Sequence, residues 1–149
     1  MSTMKPSTDV AASSQMAGLA RILRHADANL RRLSPSTALG DDRHAVVGLF
    51  DEAGAAVALS RPAWLASLTA TVRSVLDAFG GALPVGELAV SNDPYSGGTH
   101  VNDFTVVRAL TGGAGYLAVR FHTLDIGGEQ LGSITPRAAE IWSTPACDS

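Results

Sequence analysis

Cysteine is almost absent: Cys147 is the only one in 149 residues. An internal disulfide is thereby excluded, in keeping with a reducing compartment. Cys147 also sits beside the C-terminus, where chains fray, which makes it a poor catalytic nucleophile. Clustered positive charge is missing as well. With a net charge of -3 and no lysine or arginine block, the sequence offers nothing to neutralise a phosphate backbone, so nucleic acid is not an expected partner. No apolar run approaches the ~18 residues needed to cross a bilayer. The opening "MSTMKPSTDVAASS" lacks the apolar centre of a signal peptide, so the sequence predicts a cytoplasmic protein without membrane contact. There is no Gly-x-x-x-x-Gly-Lys-Ser/Thr loop to cradle ATP phosphates. Internal repeats, low-complexity stretches and domain linkers are absent too.

What remains is enough for one hydrophobic core. Apolar residues make up 46% of the chain and charged residues 17%, the balance of an ordinary globular domain. A chain of this length buries roughly 70% of the surface it exposes when unfolded. The expected organisation is a disordered leader over residues 1–7 and a single domain over 8–149.

Within that domain Met16, Leu19, Leu23, Ala26, Leu30 and Leu33 recur at spacings of three and four, which predicts a helix from about Thr8 or Asp9 to the Ser34–Pro35 step. His25 and Asp27 lie off that stripe and are expected in solvent. "HAVVGLF" and "AAVALS" around "DEAG" predict a hairpin over about 44–60, with Gly54 at its turn. A second helix is expected from about Arg61 to Phe79, with Pro62 in its first turn and Gly80–Gly81 as its stop. "ELAV" reads as a short strand, and "DFTVVRAL" and "YLAVRFHT" as a final hairpin closed by "TGGAG". The fold class is therefore α+β, with two helices packed on antiparallel hairpins forming a sheet or partial barrel. A mostly irregular tail containing Gly and Pro follows from Asp125, with one helical turn at "PRAAEIW".

The chemistry gathers in "NDPYSGGTHVNDF" and "FHTLDIGG". If the last hairpin folds about Gly113, residues whose numbers add to about 226 face each other. Asp103 then lies opposite Thr123, and His100 opposite Ile126. His100, Asp103, His122 and Asp125 consequently meet at the open end of one hairpin. Residues three apart in a regular strand point to opposite faces, so the chain must bend at each His-x-x-Asp; Gly97–Gly98 and Gly127–Gly128 supply the freedom. Imidazole and carboxylate together suit a borderline divalent ion, zinc first, with manganese or iron as alternatives. A metal-bound water, whose pKa can approach ~7, is the expected nucleophile. The pattern alone also admits a turn with no metal, in which Asp93 before Pro94 bonds the backbone.

"GELAVSNDPYSGGTHVNDFTVV" and "FHTLDIGGEQLGSITPRAAEIW" together resemble the hydantoinase B family. These are the B-type subunits of ATP-dependent hydantoinases, oxoprolinases and caprolactamases, related to acetone and acetophenone carboxylases. The resemblance implies a metal held by His100, Asp103 and His122, with Asp125 as ligand or orienting group. It places a further ligand at His44, where relatives carry aspartate; Asp41 or Asp42 is the alternative. Tyr95, Asn92 and Asp93 are candidates on the substrate side. A stretch that reads "HIPVHLGSM" in the family is "SRPAWLASL" here, so Ser60 and Trp64 stand in place of two histidines.

Family subunits are several times longer than this chain. The implied function is a metal-bearing subunit or reduced form that hydrolyses a cyclic amide, or carboxylates a ketone. ATP would be used only through an actin-like kinase-type A subunit. The remainder of the B subunit, or a second copy of the chain, is the other expected partner. A standalone metalloenzyme for other carbonyl chemistry (decarboxylation, aldol-type cleavage or cyclisation) and a non-catalytic assembly subunit are the competing readings.

Overall fold

A computed structural model describes residues 8–34 and 45–124. The elements are α1 (Thr8–Leu33), β1 (Ala45–Phe50), β2 (Ala56–Leu59), α2 (Leu65–Ala78), β3 (Leu88–Ser91), β4 (Asp103–Ala109) and β5 (Tyr116–His122). All strand pairings are antiparallel, in the order β2-β1-β5-β4-β3. The α+β expectation holds, and of its two forms the structure takes the open five-stranded sheet rather than a barrel. The expected leader and irregular tail lie outside the described residues. No helix among the described residues is long and apolar enough to cross a membrane.

Alternation along the strands divides the core into two layers. Val46, Phe50, Val107, Ala109, Tyr116 and Ala118 face one way and meet Leu68, Val72, Val75 and Leu76 of α2. Val47 and Ala58 face the other way and meet Leu23 of α1, with Leu19, Leu49, Leu117 and Val119 around them. Each large side chain so buried contributes about 1.5–3 kcal/mol relative to exposure. α2 is introduced by a 3-10 turn, Pro62–Trp64, because proline's missing N–H suits a helix start. It ends where Gly80 and Gly81 take positive φ and the Gly81 amide returns to the Leu76 carbonyl at 2.8 Å.

Two expectations need correction. Asp27 is not in solvent; it is 3% exposed, and its Oδ2 accepts from Arg61 at 3.1 Å and lies 3.5 Å from Arg31. A helix stripe identifies apolar packing, but it does not anticipate a carboxylate brought under a neighbouring loop by that loop's arginine. The α1 stripe is also covered unevenly. Leu23 is buried, whereas Met16, Ala26 and Leu33 are exposed.

The second correction concerns the last hairpin. Its turn, Thr111–Gly113, places positive φ at both Gly112 and Gly113, and Ala109 pairs with Tyr116. Asp103 therefore faces His122 rather than Thr123. Two consecutive glycines can share the reversal, whereas a turn centred on one of them shifts every rung by one residue.

Candidate metal centre

The segment between β3 and β4 is folded by its own polar side chains. Asp93 accepts from the Tyr95 amide at 2.8 Å through Oδ1 and from the Ser96 hydroxyl at 2.6 Å through Oδ2. It thereby caps the 3-10 turn Pro94–Ser96, as the turn reading of this residue expects. Asn92 donates from Nδ2 to the Val101 carbonyl at 3.0 Å and ties the loop's two ends together. Tyr95, by contrast, is 88% exposed.

Gly97 carries the sharpest change of direction, with φ at +90°. A Cβ there would stand 2.5 Å from the Thr71 amide nitrogen and 2.7 Å from the Ala70 Cβ, so the loop rests directly on the backbone of α2. Gly97→Ala is expected to cost about 2 kcal/mol of stability, from the left-handed φ and the forced separation from α2. Urea unfolding measures it, and a loss below about 0.5 kcal/mol would show that the loop can move away freely.

Beyond Gly98 the chain turns so that the Asp103 amide bonds the His100 carbonyl at 3.0 Å. That turn resolves the geometric objection to His-x-x-Asp: only Asp103 is in the strand, and His100 comes back over it. His100 Nδ1 lies 3.0 Å from Asp103 Oδ2, and His122 Nδ1 lies 3.0 Å from Asp103 Oδ1. The two imidazoles stack with centroids 4.7 Å apart and planes inclined by 29°. Thr99 completes the group, donating its hydroxyl to Asp103 Oδ2. Donor atoms of His100, Asp103 and His122 lie within 4.8 Å of one another.

Burial differs sharply within the group. The Asp103 side chain is 1% exposed, that of His122 21% and that of His100 43%. A carboxylate withdrawn from water needs partners for its charge, and here two imidazoles and a hydroxyl converge on it. Of the expected ligands, the structure thus brings together His100, Asp103 and His122. His44, Asp41, Asp42 and Asp125 lie outside the described residues, as does Gly127–Gly128.

Sequence reasoning missed the cation beneath the site. Arg120 is 1% exposed, and its Nε donates to Thr105 Oγ1 at 2.8 Å. Nη1 donates to Ser67 Oγ at 3.0 Å, and Nη2 to Thr71 Oγ1 at 2.5 Å and to the Gly97 carbonyl at 3.2 Å. Burial pushes the guanidinium below its ordinary range, while the Asp103 charge opposes that shift. One side chain so joins α2, β4, β5 and the Gly97 turn. The signal was present: Asp103, Thr105, Arg120 and His122 all occupy the sheet face that α2 covers. Reading both strands at a period of two would have found them.

The family described as Hydantoinase B/oxoprolinase matches residues 13–145. The 5-oxoprolinase PfmaA of Pestalotiopsis fici is 35% identical over 118 residues, covering 76% of this chain and 9% of that protein. The 5-oxoprolinase of Saccharomyces cerevisiae is 33% identical over 119 residues, again 76% of this chain and 9% of the relative. The chain thus spans about a tenth of the length of these relatives. Among solved structures, the ATP-dependent caprolactamase from Pseudomonas jessenii superposes with a TM-score of 0.65 at 23% identity, over 87% of this chain and 23% of that one. A nucleotide-free acetone carboxylase gives 0.66 at 15% identity, over 83% and 17%. These two likenesses establish a shared fold.

Proposed function

Because the chain belongs to the hydantoinase B/oxoprolinase family, we propose that it forms the metal-bearing part of an enzyme that opens a cyclic amide. His100, Asp103 and His122 would hold a divalent cation, zinc before manganese or iron. The observation that carries this reading is the buried Asp103 carboxylate bracketed by two imidazoles at 3.0 Å. Two nitrogen donors and one oxygen donor suit such an ion and leave positions open for water and substrate. His44, Asp41, Asp42 or Asp125 would complete the donor set.

When bound, the ion would supply Lewis acidity toward an amide carbonyl and a hydroxide equivalent near neutral pH. The surrounding residues fix the donors. Thr99 holds Asp103 Oδ2, and Arg120 anchors the loop that delivers His100 through the Gly97 carbonyl. Consumption of ATP is assigned to a partner of the actin-like kinase type. The relevant neighbours by fold are an ATP-dependent caprolactamase and an acetone carboxylase studied for ATP-dependent carboxylation, so ketone carboxylation is the related alternative.

The test is elemental analysis of the purified chain after dialysis against zinc and then buffer. About one zinc per chain is expected for the wild type, and less than about a tenth of that for His100→Ala. A wild type that folds yet retains no zinc, manganese or iron would favour an assembly role. Turnover of a lactam without ATP or any partner would instead favour a standalone metalloenzyme.

A further inference from the structure

Beside the His–Asp cluster opens a cavity of about 630 Å³, lined by Ser60, Arg61, Trp64, Ser67 and Thr99 together with Pro62 and Ala63. Thr99 belongs to both features: its hydroxyl bonds Asp103, and the residue lines the cavity. A molecule seated there lies one side chain away from the cluster.

Ser60, Ser67, Arg61 and Arg120 each make a hydrogen bond within the protein. Ser60 Oγ accepts from the Val47 amide at 3.0 Å, and Ser67 Oγ from Arg120 Nη1 at 3.0 Å. Arg61 Nη2 donates to Asp27 at 3.1 Å, so its charge faces a buried carboxylate. Every guanidinium nitrogen of Arg120 donates to the protein. What the cavity offers a ligand is mainly carbon from Pro62 and Ala63 and the indole of Trp64. That indole is half-buried against the core, with the Arg120 guanidinium 5.9 Å from its ring centroid. It is thus held in place before any ligand arrives, which lowers the entropic cost of stacking on it.

Resting on the metal reading above for the position of the reacting carbonyl, we infer that Trp64 is the specificity-determining wall of the substrate pocket. It takes a flat, uncharged substituent on the ring of a cyclic amide, in preference to a ring that carries a carboxylate. An aryl group gains the indole face and displaces water from carbon surfaces. A carboxylate meets an Arg61 that already faces Asp27 and an Arg120 whose nitrogens all donate to protein acceptors, and must leave water without equivalent compensation.

Ligand binding can be followed in the full chain by the indole N–H resonance of Trp64, assigned by its disappearance in Trp64→Phe. The probes are 5-benzylhydantoin, unsubstituted hydantoin and 5-oxoproline, each titrated with and without zinc. 5-Benzylhydantoin is expected to shift the Trp64 resonance and to bind at least about tenfold more tightly than the other two. Trp64→Leu, which keeps an apolar side chain against the core, is expected to abolish that preference, and Trp64→Phe to retain most of it. Equal affinity for the three probes, or a preference that survives in Trp64→Leu, would overturn the inference. Zinc content is measured separately, so a chain that binds no metal but discriminates through Trp64 defeats only the metal reading. A chain that binds zinc without discriminating defeats only this one.

Discussion

Arg120→Met is expected to lower the free energy of unfolding by about 3 kcal/mol, and the transition temperature by roughly 10 °C. Methionine fills a similar length of space, so the loss is not mainly one of volume. It arises because Ser67, Thr71, Thr105 and the Gly97 carbonyl lose their shared donor together. Buried polar atoms left without partners cost about 1–3 kcal/mol each. Relief of the guanidinium's own desolvation offsets part of that. The Asp103 carboxylate also loses its favourable interaction with the Arg120 charge. Arg120→Lys should recover less than half, since an ammonium cannot reach the same acceptors in a planar fork. Urea unfolding followed by circular dichroism reads both variants. A loss below about 0.5 kcal/mol for Arg120→Met would mean that the loop and α2 are held by apolar packing alone.

Asp103→Asn should weaken zinc binding at least about 100-fold while the chain still folds. The amide is isosteric with the carboxylate, but it brings no negative charge and presents only one acceptor to two imidazoles and the Thr99 hydroxyl. Thermal unfolding shows the difference without an activity assay. A wild-type chain in zinc at 100 times its dissociation constant gains about 2.7 kcal/mol, whereas the variant at the same zinc concentration gains less than about 1 kcal/mol. If both chains gain equally, the ion binds somewhere other than this cluster, and the proposed function loses its support.

Much of this arrangement was legible in the residues. Apolar spacing gave α1 its extent, Thr8–Leu33, and alternation with turn residues gave each of the five strands. The convergence of His100, Asp103 and His122 followed from a bend forced by His-x-x-Asp and permitted by Gly97. What was not legible depends on tertiary placement. Asp27 looks like an ordinary surface charge within its own segment, and only Arg61 from a neighbouring loop gives it an interior partner. Asp93 before Pro94 read as a turn former, and in the folded chain it bonds Tyr95 and Ser96; the bond from Asn92 to the Val101 carbonyl depends on where the far end of the loop returns. The register error was of another kind: two adjacent glycines allow two centres for one turn, and composition cannot choose between them.

That pairing joins two properties usually considered apart. Asp103 opposite His122 is followed at once by Phe104 opposite Phe121, whose rings stack 6.2 Å apart on the other side of the sheet. Were either strand to slide by a single position, a phenyl ring would arrive where Asp103 or His122 stands, and a carboxylate or imidazole would be thrust among oily neighbours. The hairpin therefore works as a self-checking ratchet. Misalignment that separates Asp103 from His122 also spoils the folding, so a molecule that has reached its native form holds the two side by side.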